Sequence, residues 1–577
     1  MAKTKQELIE KLFEKGILAS QDILEKEVGS ELFHQLEAES DLMVLNSDYA
    51  NIVSMQATLV DWYDLDRYKV EAEKERDDDL YQSQLQTLKK ASLSLITPHE
   101  THHQEESSLE LELNLISPHS TFSSVDTSTS SITTSSITAP VLTPSLPISS
   151  ISPITSVKTT INIVLSYENK PHKYEVKDFS TIFTSRYRFL EKILRYKPAL
   201  SENLTSISRI QGKKEREHVS LIGMVEEVGV TKSGNIMISL EDLTGKVKVL
   251  IKKDEPELFS GAKELVPDEI IGITGTCSEH MLFGDKIVWP DIPAAEEMKK
   301  SPEDVSAIFL SDFHVGSKMF LREEVDKFMS WLNGNTGNEA QKEAAAKVKY
   351  IFIAGDLVDG IGIYPSQEEE LDITEIKAQY LEFVKIISQI PFDKQIILCP
   401  GNHDLVHLAE PQSIIYKEYC PELHALPNVT LVTNPALINI AKTSTFPGFD
   451  VLMYHGYSFD HYVANVEPIR NGGGYSRADL IMKFLLKRRH LAPTFKSTPY
   501  FPAHLEDPLL IKKVPDFLVS GHIHYSKVAH YKGVTMICGS CWQSKTAFQE
   551  KMGHEPEPGR VPLVNLKTRE VKILRFA

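Results

Sequence analysis

The sequence predicts a multidomain chain. Its second half reads as an α/β domain, preceded by a small all-β domain and a small helical N-terminal piece. Three observations carry this reading. The chain has 577 residues, room for about four domains at roughly 150 residues each. After residue 300, five apolar runs each give way within a residue to Gly, Asp, Asn or His. Before it, residues 218–292 alternate apolar and polar side chains between Gly or Asp turns, the pattern of half-buried strands.

Taken in order, residues 1–60 read as short helices. Leu8, Ile9, Leu12 and Phe13 recur at helical spacing, as do Leu32, Phe33 and Leu36. Residues 61–160 read as a low-complexity, Ser/Thr-rich disordered linker. Ser and Thr supply 24 of the 44 residues in 117–160, too few large apolar groups to form a core. Order is expected to return near Ile161. Residues 161–217 form a connecting region around an amphipathic helix at 178–197. There Ile182, Phe183, Tyr187, Leu190 and Leu194 share a face, and Arg186, Arg188, Lys192 and Arg195 read as a solvated surround. Residues 218–295 hold five strands, at 218–230, 234–242, 245–253, 269–279 and 285–292. Five short strands in so short a span resemble an OB-fold barrel. Such barrels bind single strands or dock proteins, and the mixed charges here favour a protein contact.

Composition narrows the classes. With 62 basic and 80 acidic residues the net charge is −18, which argues against a chain that coats nucleic acid by charge alone. Only −3 of that charge falls in 301–577, which also holds 12 of the 20 histidines. No run approaches the 18 apolar residues of a membrane span, and the charged N-terminus lacks a signal-peptide core. Five cysteines make no disulfide framework. The expected setting is the cytoplasm, with no membrane partner.

The chemistry concentrates in 300–577. VSAIFL leads into Asp312 and His314, and KYIFIA into Gly355, Asp356 and Asp359. QIILCP leads into Gly401, Asn402, His403 and Asp404, VLMY into His455 and Gly456, and DFLVS into Gly521, His522 and His524. Sites in α/β folds form beyond the carboxyl ends of strands, so five strand ends deliver ligand types to one rim. Mixed carboxylate and imidazole donors suit manganese, iron or zinc better than oxygen-preferring magnesium or calcium. Two ions about 3.5–4 Å apart clamp phosphoryl oxygens and supply hydroxide at neutral pH.

The ordered set D-x-H, G-D-x-x-D, G-N-H-D, H-G and G-H-x-H resembles the calcineurin-like metallophosphoesterase superfamily. The segments LSDFHVGSKMF, WLNG, KRRHLAP and EDPLLIKKVPDFLVSGHIHY are similar, more narrowly, to the small-subunit family of archaeal D-family DNA polymerases. That resemblance covers about 180–577 well and 1–60 loosely. It implies a two-sheet sandwich flanked by helices. It implies one metal held by Asp312, His314, Asp356 and His524, and a second by Asp356, Asn402, His455 and His522, with Asp356 bridging. His403 would be the unliganded acid that protonates the leaving oxygen or contacts the phosphate. The implied cofactors are two divalent ions, manganese first, with iron, zinc or magnesium as alternatives. The implied activity is 3′–5′ exonuclease proofreading of DNA within a heterodimer whose large catalytic subunit polymerises. Single-stranded 3′ ends are the substrate, and a sliding clamp is a further partner left open.

Rival readings are a stand-alone repair nuclease or phosphatase of the same fold, and a scaffold with a vestigial site. The complete ligand set argues against the scaffold, and the long N-terminal half against a simple phosphatase. Around the motifs, Asp359 and Asp404 are expected to orient loops, and Cys538 and Cys541 to be core residues. Lys487, Arg488 and Arg489 fit a helix C-terminus, with contact to DNA phosphate as the sharper alternative.

Overall fold

The computed structural model describes residues 161–577, apart from 168–172, 212–215, 279–280, 295–296 and 503–504. It also describes the dipeptides Leu18–Ala19 and Val44–Leu45, which pair as short parallel strands. The expected helical domain and linker otherwise lie outside the described residues.

Strand β1 (Asn162–Leu165) is followed by helix α1 (Val176–Arg195). Asp178 accepts from the Glu175 N–H at 2.8 Å and starts the helix, while Lys192 and Arg195 occupy its last turn, charges that suit the two ends of the helix dipole. Its buried stripe is Ile182, Arg186, Leu190 and Leu194, joined by Tyr187. Arg186 therefore belongs to the inner face and not to a solvated surround. Its Nε lies 2.6 Å from Asp507 Oδ2, with the two side chains 1% and 0% exposed. Its Nη1 donates to the Pro493 carbonyl at 2.7 Å.

Five strands close a barrel: β2 (His218–Val230), β3 (Ile236–Asp242), β4 (Gly245–Ile251), β5 (Ile270–Ser278) and β6 (Met281–Val288), in the order β2-β3-β4-β6-β5. Strand β4 pairs β6 in parallel, and the other pairings are antiparallel. Alternate residues Leu221, Ile238, Val249, Ile273 and Leu282 fill the interior. The last strand begins at Met281, four residues before the expected start. Gly284 reads as a turn in sequence but lies inside β6, where a Cβ would stand 2.5 Å from Ile251 Cδ1. Glycine is used there because a neighbour fills the space a side chain would need.

The C-terminal half is a sandwich of two six-stranded sheets. Its elements are β7 (Ser306–Leu310), α2 (Arg322–Leu332), β8 (Val348–Ala354), α3 (Ile376–Ile387), β9 (Gln395–Cys399), β10 (Val429–Leu431), β11 (Ala436–Ile440), β12 (Phe449–Met453), α4 (Phe459–Asn465), α5 (Ala478–Arg488), β13 (Phe517–Ser520), β14 (Lys527–Tyr531), β15 (Val534–Cys538), α6 (Ala547–Met552), β16 (Arg560–Asn565) and β17 (Val571–Arg575). The first sheet runs β10-β9-β8-β7-β16-β17, and the second runs β14-β15-β13-β12-β11-β1. Strands β7 to β10 are parallel. The first three, β7, β8 and β9, are buried on both faces and carry nearly continuous apolar runs.

Alternation along these strands builds three apolar layers. Phe309, Phe352, Ile397, Val451 and Val519 meet between the sheets. Their neighbours Ile308, Leu310, Ile351 and Ile353 turn outward onto Phe328 of α2 and Phe383 of α3. Leu452, Leu518 and Met536 pack on Tyr462, Ile481 and Leu485 of α4 and α5. Both sheets are thus covered by helices, and their strand ends reach one rim.

Two of the cations 487–489, Lys487 and Arg488, tie the barrel to this sandwich. Arg488 Nε lies 2.9 Å from Glu269 Oε2, both side chains 1% exposed, and its guanidinium stacks 3.3 Å over Phe484. Lys487 reaches Glu264 at 2.8 Å and sits over the Trp289 ring at 3.7 Å. Arg489 donates to the carbonyls of Ile511 and Lys512. Arg488 and Arg489 are buried, so neither is free to meet a DNA phosphate. No helix among the described residues is long and apolar enough to cross a membrane.

Candidate metal centre

The five expected strand ends form one rim. Asp312 and His314 follow β7, Asp356 follows β8, Asn402 and His403 follow β9, His455 follows β12, and His522 and His524 follow β13. Each strand is locked by its ladder, so the residues just past its end inherit fixed positions. The backbone then bends sharply. Asp312, His314, Asp356, His522 and His524 have φ of 52°, 53°, 52°, 71° and 58°. A left-handed conformation costs a non-glycine residue roughly 1–2 kcal/mol, and strain of this kind collects at functional sites. Two glycines allow the close approach. A Cβ at Gly401 would strike the Asp356 carboxylate, and one at Gly521 would strike that of Asp312.

Three sets of donor atoms each lie within 4.8 Å of one another: Asp312, His314 and His524; His314, Asp356 and His403; and Asp356, His455 and His522. Asp356 is common to two of them, 3.8 Å from His314 Nε2 and 3.2 Å from His455 Nε2. His455 Nε2 also lies 3.0 Å from Asn402 Oδ1. The eight sequence-predicted residues are therefore brought together.

Surrounding groups set the imidazole tautomers. His455 donates Nδ1–H to the Ala354 carbonyl at 2.7 Å, and His314 Nδ1 faces the Asp359 carboxylate at 3.0 Å. Both rings then present Nε2 inward. His314 Nε2 stands 3.0 Å from His524 Nε2, and His524 Nε2 is 3.5 Å from Asp312 Oδ1. Inward nitrogens and carboxylates converging with outer hydrogen bonds behind them are the arrangement of a transition-metal site. The donor set fits divalent ions on that ground.

The charges follow the same logic. Burial works to raise the Asp312 and Asp356 carboxyls. For Asp312 the hydrogen bond and charge of His524 outweigh it, and for Asp356 the charges of His455 and His403 do, so Asp312 falls below its ordinary value and Asp356 well below. Burial works to lower His455, but Asp356 lifts it to about 10. His403 goes the other way, lowered chiefly by burial against the pull of Asp356. Its Nδ1 is 2.7 Å from the Asp359 carbonyl and its backbone N–H donates to Asp356 Oδ1 at 2.8 Å.

Asp359 and Asp404 orient loops, as expected. Asp359 accepts from Gln367 and Gln543 as well as facing His314. Asp404 accepts from the backbone of Leu357 and Gly401 and from the Tyr380 hydroxyl. Burial, with Asp356 nearby, raises its carboxyl to about 7. Cys538 and Cys541 are buried free thiols, pushed up chiefly by burial.

Sequence reasoning missed several residues that line the cavity of about 250 Å³ at this rim: Tyr457, Asp460, Gln543, Gln549 and His554. Asp460 sits 3.1 Å from His522 Nε2, and the Gln549 amide lies 2.8 Å from His524 Nδ1. Position just after His455-Gly456 was the available signal for Asp460. Tyr457, next to Gly456, shares that signal, whereas Gln543, Gln549 and His554 come from α6 and the loops beside it, where no motif announces them. A larger cavity of about 650 Å³ lies on the barrel beside Pro256 and Trp289, away from this chemistry.

Residues 306–526 match the model of the calcineurin-like phosphoesterase family. The DNA polymerase II small subunit of Methanothermobacter thermautotrophicus is 38% identical over 70% of this chain and 80% of that protein. The protein of that name from Archaeoglobus fulgidus is 40% identical over 70% of this chain and 77% of its own length. Among solved structures, a novel archaeal phosphodiesterase aligns at 12% identity with a TM-score of 0.23, over 47% of this chain and 99% of that one. The chain belongs to the DNA polymerase II small-subunit family and carries a calcineurin-like phosphoesterase domain.

Proposed function

We infer that this chain is the small subunit of a replicative heterodimeric DNA polymerase and carries a 3′–5′ exonuclease site that proofreads DNA. The observation that supports this most is the complete, convergent donor set with Asp356 shared between two of its groups. Asp312, His314, Asp356 and His524 would hold one divalent ion, and Asp356, Asn402, His455 and His522 the other, manganese first. When bound, such ions polarise phosphoryl oxygens and make water a nucleophile near neutral pH.

The protein's own part is binding and proton control. His403, its Nδ1 held by the Asp359 carbonyl, turns Nε2 to the substrate. A phosphate beside it favours the protonated imidazole, which can then give its proton to the leaving 3′ oxygen. Asp359 and Asp404 keep the loops in register. The 250 Å³ cavity suits a single-stranded 3′ end. The closed five-stranded barrel supports reading this domain as an OB fold, and a protein contact suits its mixed charges. In this reading 1–60 is a helical domain, 61–160 a linker, 161–217 a connector, 218–295 the OB domain and 300–577 the nuclease. The partners are the large catalytic subunit and DNA in the cytoplasm, with a sliding clamp as a further contact.

The test is a cleavage assay on 5′-labelled single-stranded DNA with purified full-length chain and added manganese. The expected outcome is stepwise release of 5′-mononucleotides, abolished by chelation and by Asp356→Ala, and no primer extension without the large subunit. Hydrolysis of phosphomonoesters alone would point to a phosphatase, and no hydrolysis at all to a scaffold.

A further inference from the structure

One imidazole at this rim has no assigned task. His554 follows Gly553, which caps α6 in the left-handed conformation at φ 72°. The His554 backbone N–H donates to the Gln549 carbonyl at 2.9 Å, and its ring packs on Tyr475 with centroids 4.2 Å apart. The backbone is therefore held on α6 and one side of the ring on Tyr475. It lines the same cavity as the donor cluster, with Asp460, His524 and His522 as its electrostatic neighbours.

Its Nε2 is buried and makes no hydrogen bond. An unsatisfied buried polar atom is destabilising and calls for an explanation. The composition of the cavity supplies one. None of its described lining residues is Lys or Arg, so a phosphodiester there must find donors among uncharged or histidine side chains. His403 stands with His314 and Asp356, and its Nδ1 is already committed to Asp359. On the side of His522 the carboxylate of Asp460 repels a phosphate, although it is engaged with His522 Nε2. His554 is the lining residue on that side with a free imidazole nitrogen to offer.

We propose that His554 is a second phosphate-binding residue of this site, its Nε2–H donating to a non-bridging oxygen of the bound phosphodiester and of the released 5′-nucleotide. This rests on the nuclease reading above. No covalent step is assigned to it. Its contribution is grip, present equally in the ground state and the transition state.

The test compares full-length wild type with His554→Phe, which keeps a ring against Tyr475 but has no nitrogen, and His554→Gln, which restores a donor. Three quantities are read in manganese: metal content by elemental analysis, the Kd for thymidine 5′-monophosphate by calorimetry, and KM and kcat on single-stranded DNA. A hydrogen bond to a charged acceptor is worth roughly a 10- to 100-fold change in affinity. His554→Phe is expected to bind the nucleotide and the DNA about 10-fold or more weakly, with kcat nearly unchanged, the pattern of lost uniform binding. Its metal content is expected to equal that of wild type, and His554→Gln to recover most of the affinity. Unchanged Kd and KM in His554→Phe would overturn the assignment. So would loss of a metal equivalent, which would make His554 a ligand, or equal defects in both variants, which would make its role packing. If wild type binds the nucleotide but cleaves no DNA, the nuclease reading falls, and the Kd comparison still decides His554. If wild type does not bind the nucleotide, the His554 assignment falls as well.

Discussion

Replacing Arg186 by Met tests how the N-terminal helix of the described region is fastened to the phosphoesterase half. Arg186 and Asp507 form an ion pair with neither side chain more than 1% exposed. Asp507 also accepts from His490 Nε2 at 2.9 Å, Tyr500 Oη at 2.6 Å and the Leu509 N–H at 3.0 Å. Removing one partner of such a pair strands the other charge and costs about 3–5 kcal/mol. Arg188, exposed two residues on, is the control, and Arg188→Met should stay within about 0.5 kcal/mol.

The same cluster predicts an acid dependence. The Ala492 N–H donates to His490 Nδ1 at 2.9 Å, so the ring is neutral with its proton on Nε2. Burial, and then the charge of Arg186, hold it down at about 4 from the usual 6.5. The folded pKa lies below the unfolded one, so this stabilisation is complete above pH 6.5 and fades as pH falls toward 4. Between pH 7 and pH 5 it amounts to about 2 kcal/mol, at 1.36 kcal/mol per unit. In Arg186→Met that acid penalty should shrink, because one of the groups that keeps the imidazole neutral is gone. Urea unfolding followed by tryptophan fluorescence at pH 7 and pH 5 measures both effects. A loss below about 1 kcal/mol for Arg186→Met at pH 7, or an equal loss for Arg188→Met, would refute the reasoning.

Two further changes separate metal binding from proton transfer. His403→Ala should keep about two equivalents of manganese yet cleave DNA slower by ~10²–10⁴-fold, with a smaller loss on a nitrophenyl phosphodiester whose leaving group needs no proton. Gly401→Ala should instead lose metal and cleavage together. The added methyl would meet the Asp356 carboxylate and stand 2.6 Å from the Asp356 backbone nitrogen, so elemental analysis should find less than two equivalents bound.

The donor rim was legible because its ligands sit in chain order just past strands, and strands buried on both faces read as unbroken apolar runs. The barrel was legible by alternation, except where Gly284 inside β6 looked like a turn. Interior charge was not legible. Arg186 meets Asp507 321 residues away, and Arg488 meets Glu269 219 residues away. Nothing local marks either arginine as buried, so cationic side chains on amphipathic helices read as surface until their partners are placed. Gln549 and His554 were missed for a related reason. They reach the rim from a short helix and the residues just past it, which carry no ligand motif, and only the fold brings them there.

The most direct test of the central claim is anomalous diffraction at the manganese edge from crystals of the full chain grown with manganese. The account predicts two peaks about 3.5–4 Å apart, one within reach of Asp312, His314, Asp356 and His524, the other of Asp356, Asn402, His455 and His522, with His403 and His554 outside both coordination spheres. A single peak, peaks elsewhere on the chain, or His403 bound directly to an ion would contradict it.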